Sequence, residues 1–113
     1  MSKFGLYPEK SSVITFETHL EGLQDETKII LQQLRIFVKS LGENVIEEVR
    51  PHRVVYAKTL TFRTFLDVQP RNDSITLSIR RGRNEPETTY SIKTKQEFED
   101  VSKEIRRAYE MIK

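Results

Sequence analysis

The chain has 113 residues, no cysteine and a formal net charge of +2, and 32% of its residues are charged. One domain of that length hides roughly two-thirds of its unfolded surface and folds without metal or disulfide; the absence of cysteine excludes disulfide scaffolds, zinc–thiolate sites and thiol catalysis, and fits a reducing compartment. No apolar run reaches the ~20 residues of a membrane span, and the opening MSKFGLYPEK lacks the apolar core of a signal peptide, so the expectation is a soluble, cytoplasmic chain with no membrane partner.

Residues 1–14, with Pro8 and the Ser11-Ser12 pair, read as a loosely held arm, and residues 15–113 as a single domain. TFETHLEGL reads as a short helix or turn that ends near Gly22. Asp25 then suits a helix N-cap, with Glu26 in the first turn where negative charge complements the helix dipole. Ile30, Leu34, Phe37, Val38 and Leu41 recur at three- and four-residue spacing, widened by Ile29 and Leu31, and Gly42 is the expected stop.

The period then drops to two. VVYAK at 54–58 reads as a short strand after Pro51, and TFRTFLDVQ at 61–69 as a longer one. Strict alternation would send Phe62, Leu66 and Val68 to one face and Arg63, Phe65, Asp67 and Gln69 to the other, with Pro70 closing the strand because it has no N–H for the ladder. SITLSIR alternates Ile75, Leu77 and Ile79 with Thr76, Ser78 and Arg80. TTYSIK at 88–93 points Tyr90 and Ile92 one way.

The last helix has the clearest start in the chain. Thr94 with Glu97 three residues later forms a capping box, and Phe98, Val101, Ile105, Ala108 and Ile112 follow as one apolar stripe with Tyr109 beside it. Two helices with one face to bury and strands with one face to cover predict an α+β fold in two layers. The expected form is an antiparallel sheet of about four strands, with the N- and C-terminal helices packed on one face.

Charge is distributed unevenly along this frame. Residues 50–83 hold eight Lys/Arg against two Asp/Glu, residues 1–49 hold five against eight, and residues 84–113 hold six against seven. The strict alternation puts Arg63 and Arg80 on the uncovered sheet face with Phe65 between them, while Arg71, Arg81 and Arg83 fall near strand ends or in loops and Lys58 lies on the neighbouring strand. Arginine beside an exposed aromatic ring is the pairing that holds single-stranded nucleic acid, through phosphate contacts and base stacking. The plainer reading is a solvated face on which arginine stems cover apolar surface while their heads stay wet. A third reading has the same face, with Phe65 and Tyr56, meeting a second copy of the chain or another protein.

No catalytic constellation stands out. His19 and His52 are the only histidines, without carboxylates at metal-ligand spacing, and His19 reads as a packing or capping residue. A restriction-type nuclease core would need a second acid and a lysine near Asp67, and neither is present. Four unclustered glycines make no phosphate loop, Ser74 and Ser78 have no neighbouring base, and Glu43, Glu47 and Glu48 read as a solvated linker. The expectation is a non-catalytic module with neither cofactor nor metal.

HLEGL before an amphipathic helix, then VVYAK, FLDVQPRNDSITLSI and the terminal IRRAYEMI, together resemble the domain of unknown function 5655 family, whose members are sometimes labelled predicted transport proteins. The resemblance runs from about residue 15 to the end, carried by the order of the motifs. The family's His-Leu element maps to His19-Leu20, its Tyr-x-Lys/Arg strand to Tyr56 and Lys58, and its strand-turn element to Val68, Gln69, Pro70 and Arg71. In larger members the domain sits behind nuclease-like or restriction-type domains. The resemblance therefore implies an accessory module associated with nucleic acid, partnered by a larger nuclease-like protein, and it supplies no catalytic residues. The transport label finds no support in a chain without a membrane span.

Overall fold

A computed structural model describes residues 14–58, 63–82 and 85–112. A 3-10 turn at Phe16–Leu20 leads into α1 (Asp25–Lys39); five strands follow, β1 (Val45–Val49), β2 (Val54–Lys58), β3 (Arg63–Pro70), β4 (Ile75–Ile79) and β5 (Thr88–Ile92), and α2 (Lys95–Met111) closes the chain. The strands form one antiparallel meander in the order β1-β2-β3-β4-β5. The α+β class and the two-layer arrangement are as expected, with one strand more. Most of the expected arm, residues 1–13, lies outside the described residues.

One continuous core joins both helices to one face of the sheet. It holds Ile30, Leu34 and Val38 of α1, Val54 and Tyr56 of β2, Leu66 and Val68 of β3, Ile75, Leu77 and Ile79 of β4, and Phe98, Val101, Ile105 and Ala108 of α2. The helices meet where the Phe37 and Phe98 rings stand edge to face, 6.2 Å apart. Thr94 caps α2 as expected: its hydroxyl accepts from the Glu97 amide at 3.1 Å, and the Glu97 carboxylate accepts from the Thr94 and Lys93 amides at 3.2 and 2.7 Å.

The additional strand is VIEEV, where a solvated linker was expected. Ladder pairing sets Glu47 opposite Tyr56 on the helix side. There Arg35 of α1 donates to both carboxylate oxygens at 2.8 and 2.9 Å, and the Tyr56 hydroxyl donates at 2.8 Å. Arg35 in turn lies 4.3 Å above the Phe16 ring. A carboxylate on an inward strand position is tolerable only with such partners, and local composition gives no view of them. Burial and the bond to Glu47 push the Tyr56 phenol far above its ordinary value, so it stays a donor at every relevant pH. Tyr56 is 1% exposed and is not part of an outer docking face.

Two helix boundaries also differ from expectation. Asp25 lies in the first turn of α1 rather than at its cap; Gln24 holds the cap position without a side-chain capping bond. The helix ends at Ser40, before Gly42. A Cβ on Gly42 would overlap the Tyr109 hydroxyl, so this glycine permits a close approach of α2 rather than a left-handed stop.

The largest correction concerns Phe65. Tyr56 pairs with Leu66, but the next residue of β2, Ala57, pairs with Thr64, so Phe65 is an extra residue in the ladder. Such a bulge breaks the alternation, and Phe65 turns to the same side as Leu66. Both are 0% exposed, and the Phe65 ring meets Tyr109 at 5.5 Å. Phe62, the expected core partner, lies outside the described residues.

Candidate functional site

The bulge dissolves the expected row of Arg63, Phe65 and Arg80. Phe65 is in the core. Arg63 pairs with Lys58, and ladder partners share a face; Lys58 reaches the Ile112 carbonyl and lies 4.1 Å over the Tyr109 ring, so the two cations lie on the helix side. Arg80 is exposed on the outer face, where it pairs with Glu87 at 2.9 Å. Arg81 joins the end of β4 to α2 through Glu104 at 2.8 Å and to the start of β5 through Thr88 at 3.0 Å. Arg83 lies outside the described residues.

On the rest of the outer face, Arg53 is held by Asp67 at 2.7 Å and Arg50 by Glu48 at 3.0 Å. Thr76, Ser78, Thr89 and Ser91 fill the centre and the β5 side as a hydroxyl-bearing surface. Of the cations in the central third, Arg50, Arg80 and Arg81 are met by carboxylates from the outer thirds and Arg53 by Asp67 within it.

Arg71 differs. It is exposed in the β3–β4 turn, its amide donates to Ser74 at 2.7 Å, and its guanidinium has no partner among the described residues. It borders a cleft of 450 Å³ shared by the β3–β4 turn, the β1–β2 turn and the loop after the 3-10 helix. His19, His52, Gln69 and Asn72 line the same cleft, and Glu21 is the acid on its wall. The cleft thus gathers both histidines and one uncommitted arginine with two amide side chains.

Three ties shape it. Asn72 donates to the Gly22 carbonyl at 2.7 Å, while its own carbonyl accepts from the Gln24 amide at 2.9 Å. Gly22 adopts a φ of 80°, the left-handed conformation in which a side chain is strained. His19 Nε2 lies 2.7 Å from the Arg50 carbonyl. A carbonyl can only accept, so Nε2 carries the proton and Nδ1 is left as the other ring atom able to bond. His19 and the Gln69-Pro70-Arg71 run therefore meet at this cleft, although they are about fifty residues apart in sequence.

Sequence reasoning missed this cleft for one reason. Without β1, His52 has no hairpin to belong to. In a five-strand meander the first and third connections fall at the same end of the sheet, which brings His52 and Arg71 together. Among the described residues no group of three or more His, Asp or Glu side chains is arranged to hold a metal ion, and no helix is long and apolar enough to cross a membrane. Neither the family models, nor the curated proteins, nor the solved structures contain a match to this chain.

Proposed function

We propose that this chain is a non-catalytic cytoplasmic module that binds nucleic acid at the turn end of its sheet. The carrying observation is Arg71: its guanidinium is exposed and uncommitted in a polar cleft with His52, Gln69 and Asn72, while Arg50, Arg53, Arg80 and Arg81 are each engaged by a carboxylate. A planar guanidinium suits a phosphate's oxygens, and amide and imidazole groups add donors. Among the described residues the cleft has no Phe, Tyr or Trp side chain in its lining, so the contact proposed is to backbone phosphate and is indifferent to sequence. Kinship with the domain of unknown function 5655 family belongs to the same proposal, since it implies a module that works beside a nuclease-like partner.

Titration of a labelled single-stranded oligonucleotide at low salt tests it. Binding should be weak and should fall steeply with salt as counterions are released. Arg71→Glu with His52→Glu should abolish it, whereas Arg80→Glu on the sheet face should leave most of it. No binding up to high micromolar protein overturns the reading. Loss through Arg80→Glu alone would move the contact back to the sheet.

A further inference from the structure

The outward side of α1 is not uniformly polar. Three large apolar side chains stand exposed among the described residues: Ile29 at 53%, Ile36 at 69% and Met111 at 49%. Single exposed apolar residues are ordinary. Ile29 and Ile36, however, are seven positions apart on one helix, so they lie on one line about 10 Å apart. Asp25 and Gln32 lie on the same line and are exposed, with Lys39 at its far end. Beside Ile36 runs a groove of 340 Å³ with Phe16 and Leu20 in its wall. Two apolar residues at heptad spacing on the solvent side form a narrow seam, the pattern of a helix that meets another helix.

We infer that the occupant of this seam is a second copy of the chain, α1 against α1 and antiparallel. The charges at the two ends decide the orientation. Asp25, at the N-terminal end, has no side-chain partner among the described residues. Lys39, at the C-terminal end, is 50% exposed, with its ammonium 3.8 Å from Glu47, a looser contact than that of Arg35. A parallel pair would set Asp25 on Asp25 and Lys39 on Lys39. An antiparallel pair sets Asp25 against the partner's Lys39 at both ends, and an ammonium has three donors, enough for Glu47 and Asp25 together.

With the dyad near Gln32, Ile29 meets the partner's Ile36 at the mouth of the Phe16–Leu20 groove. Gln32 meets the partner's Gln32, and an amide can both donate and accept across such an axis. The helix dipoles also oppose one another. The contact is isologous and consumes itself, so it stops at a dimer. One helix pair and a shallow groove fall short of the ~800 Å² per partner typical of stable complexes, so association is weak and depends on concentration. The seam shares no residue with the Arg71 cleft.

Sedimentation of the intact chain, from low micromolar to about 1 mM, reads this directly, since association follows mass action. The expected mass climbs from one chain toward two. Ile36→Glu should hold the protein at one chain with an unchanged circular dichroism spectrum. Asp25→Lys alone and Lys39→Asp alone should each fail to associate, because each self-pair sets like charges together. Mixed, they should associate again, since every pair then has opposite signs. A chain that stays monomeric throughout, a dimer that survives Ile36→Glu, or a mixture that does not associate would each overturn the inference.

Discussion

Arg35 on the first helix grips Glu47 on the edge strand through two hydrogen bonds at 2.8 and 2.9 Å, which ties the start of the helical layer to the start of the sheet. Burial pushes the Glu47 carboxyl up, but the bonds from Arg35 and Tyr56 and the charges of Arg35 and Lys39 outweigh it and hold the group below its ordinary 4.5. A carboxyl depressed in the folded state contributes stability that is complete above its unfolded value and is lost as pH falls through the folded one. Glu47→Gln keeps the shape and removes the charge. It should lower stability by about 1–3 kcal/mol at neutral pH, and the gap to the wild type should close in acid. Urea midpoints for both proteins across the acid range check this; a gap of constant size would show that charge is not what the pair contributes.

Gly42 faces the Tyr109 hydroxyl, which donates to Asn44. Tyr109 is held between the Phe65 ring and the Lys58 ammonium, so it cannot swing aside cheaply. Gly42→Ala should therefore destabilise by about 1–3 kcal/mol. In a Tyr109→Phe background, where the colliding oxygen is gone, the same change should cost less. The double-mutant cycle is the measurement, and equal costs in the two backgrounds would reject the contact.

Phe65 distinguishes core from surface most sharply. A fully buried phenylalanine truncated to alanine costs about 3–5 kcal/mol, whereas a solvent-facing ring would cost little. Phe65→Ala should lower the thermal midpoint by many degrees. A midpoint close to the wild type would return Phe65 to the outer face.

Thr94→Ala removes the hydroxyl that accepts from the Glu97 amide and should cost about 1 kcal/mol. The Glu97 carboxyl is held below its ordinary value, chiefly by the Lys93 and Thr94 amides and then by the Thr94 hydroxyl. NMR titration of Glu97 should therefore show its pKa rising toward the ordinary value in the Thr94→Ala variant. An unmoved titration would take the hydroxyl out of the capping box.

Most of the architecture was legible because it rests on local patterns. The periods of Ile75–Ile79 and of the Phe98–Ile112 stripe, and the Thr94–Glu97 spacing, each have their cause within a few residues. What escaped has a distant cause. VIEEV is a strand because Arg35 and Tyr56 satisfy Glu47, and neither is its sequence neighbour. Phe65 faces inward because the pairing with β2 slips by one residue, and a single strand's alternation cannot show its partner's register. The expected row of Arg63, Phe65 and Arg80 on the outer face was lost by inheritance. One misplaced residue moved Arg63 and Phe65 off the outer face together, and one unseen strand kept His52 away from Arg71.

The meander also bears on how the chain folds. Each strand pairs only with its neighbours in sequence, so each hairpin closes a short loop and no strand waits for a distant partner. The expensive closure is the one that brings Phe37 to Phe98 across about sixty residues. Assembly should run hairpin by hairpin, with helix docking left to the end, on the far side of the rate-limiting barrier. Trimming the Phe37–Phe98 contact should then quicken unfolding and leave the refolding rate nearly untouched.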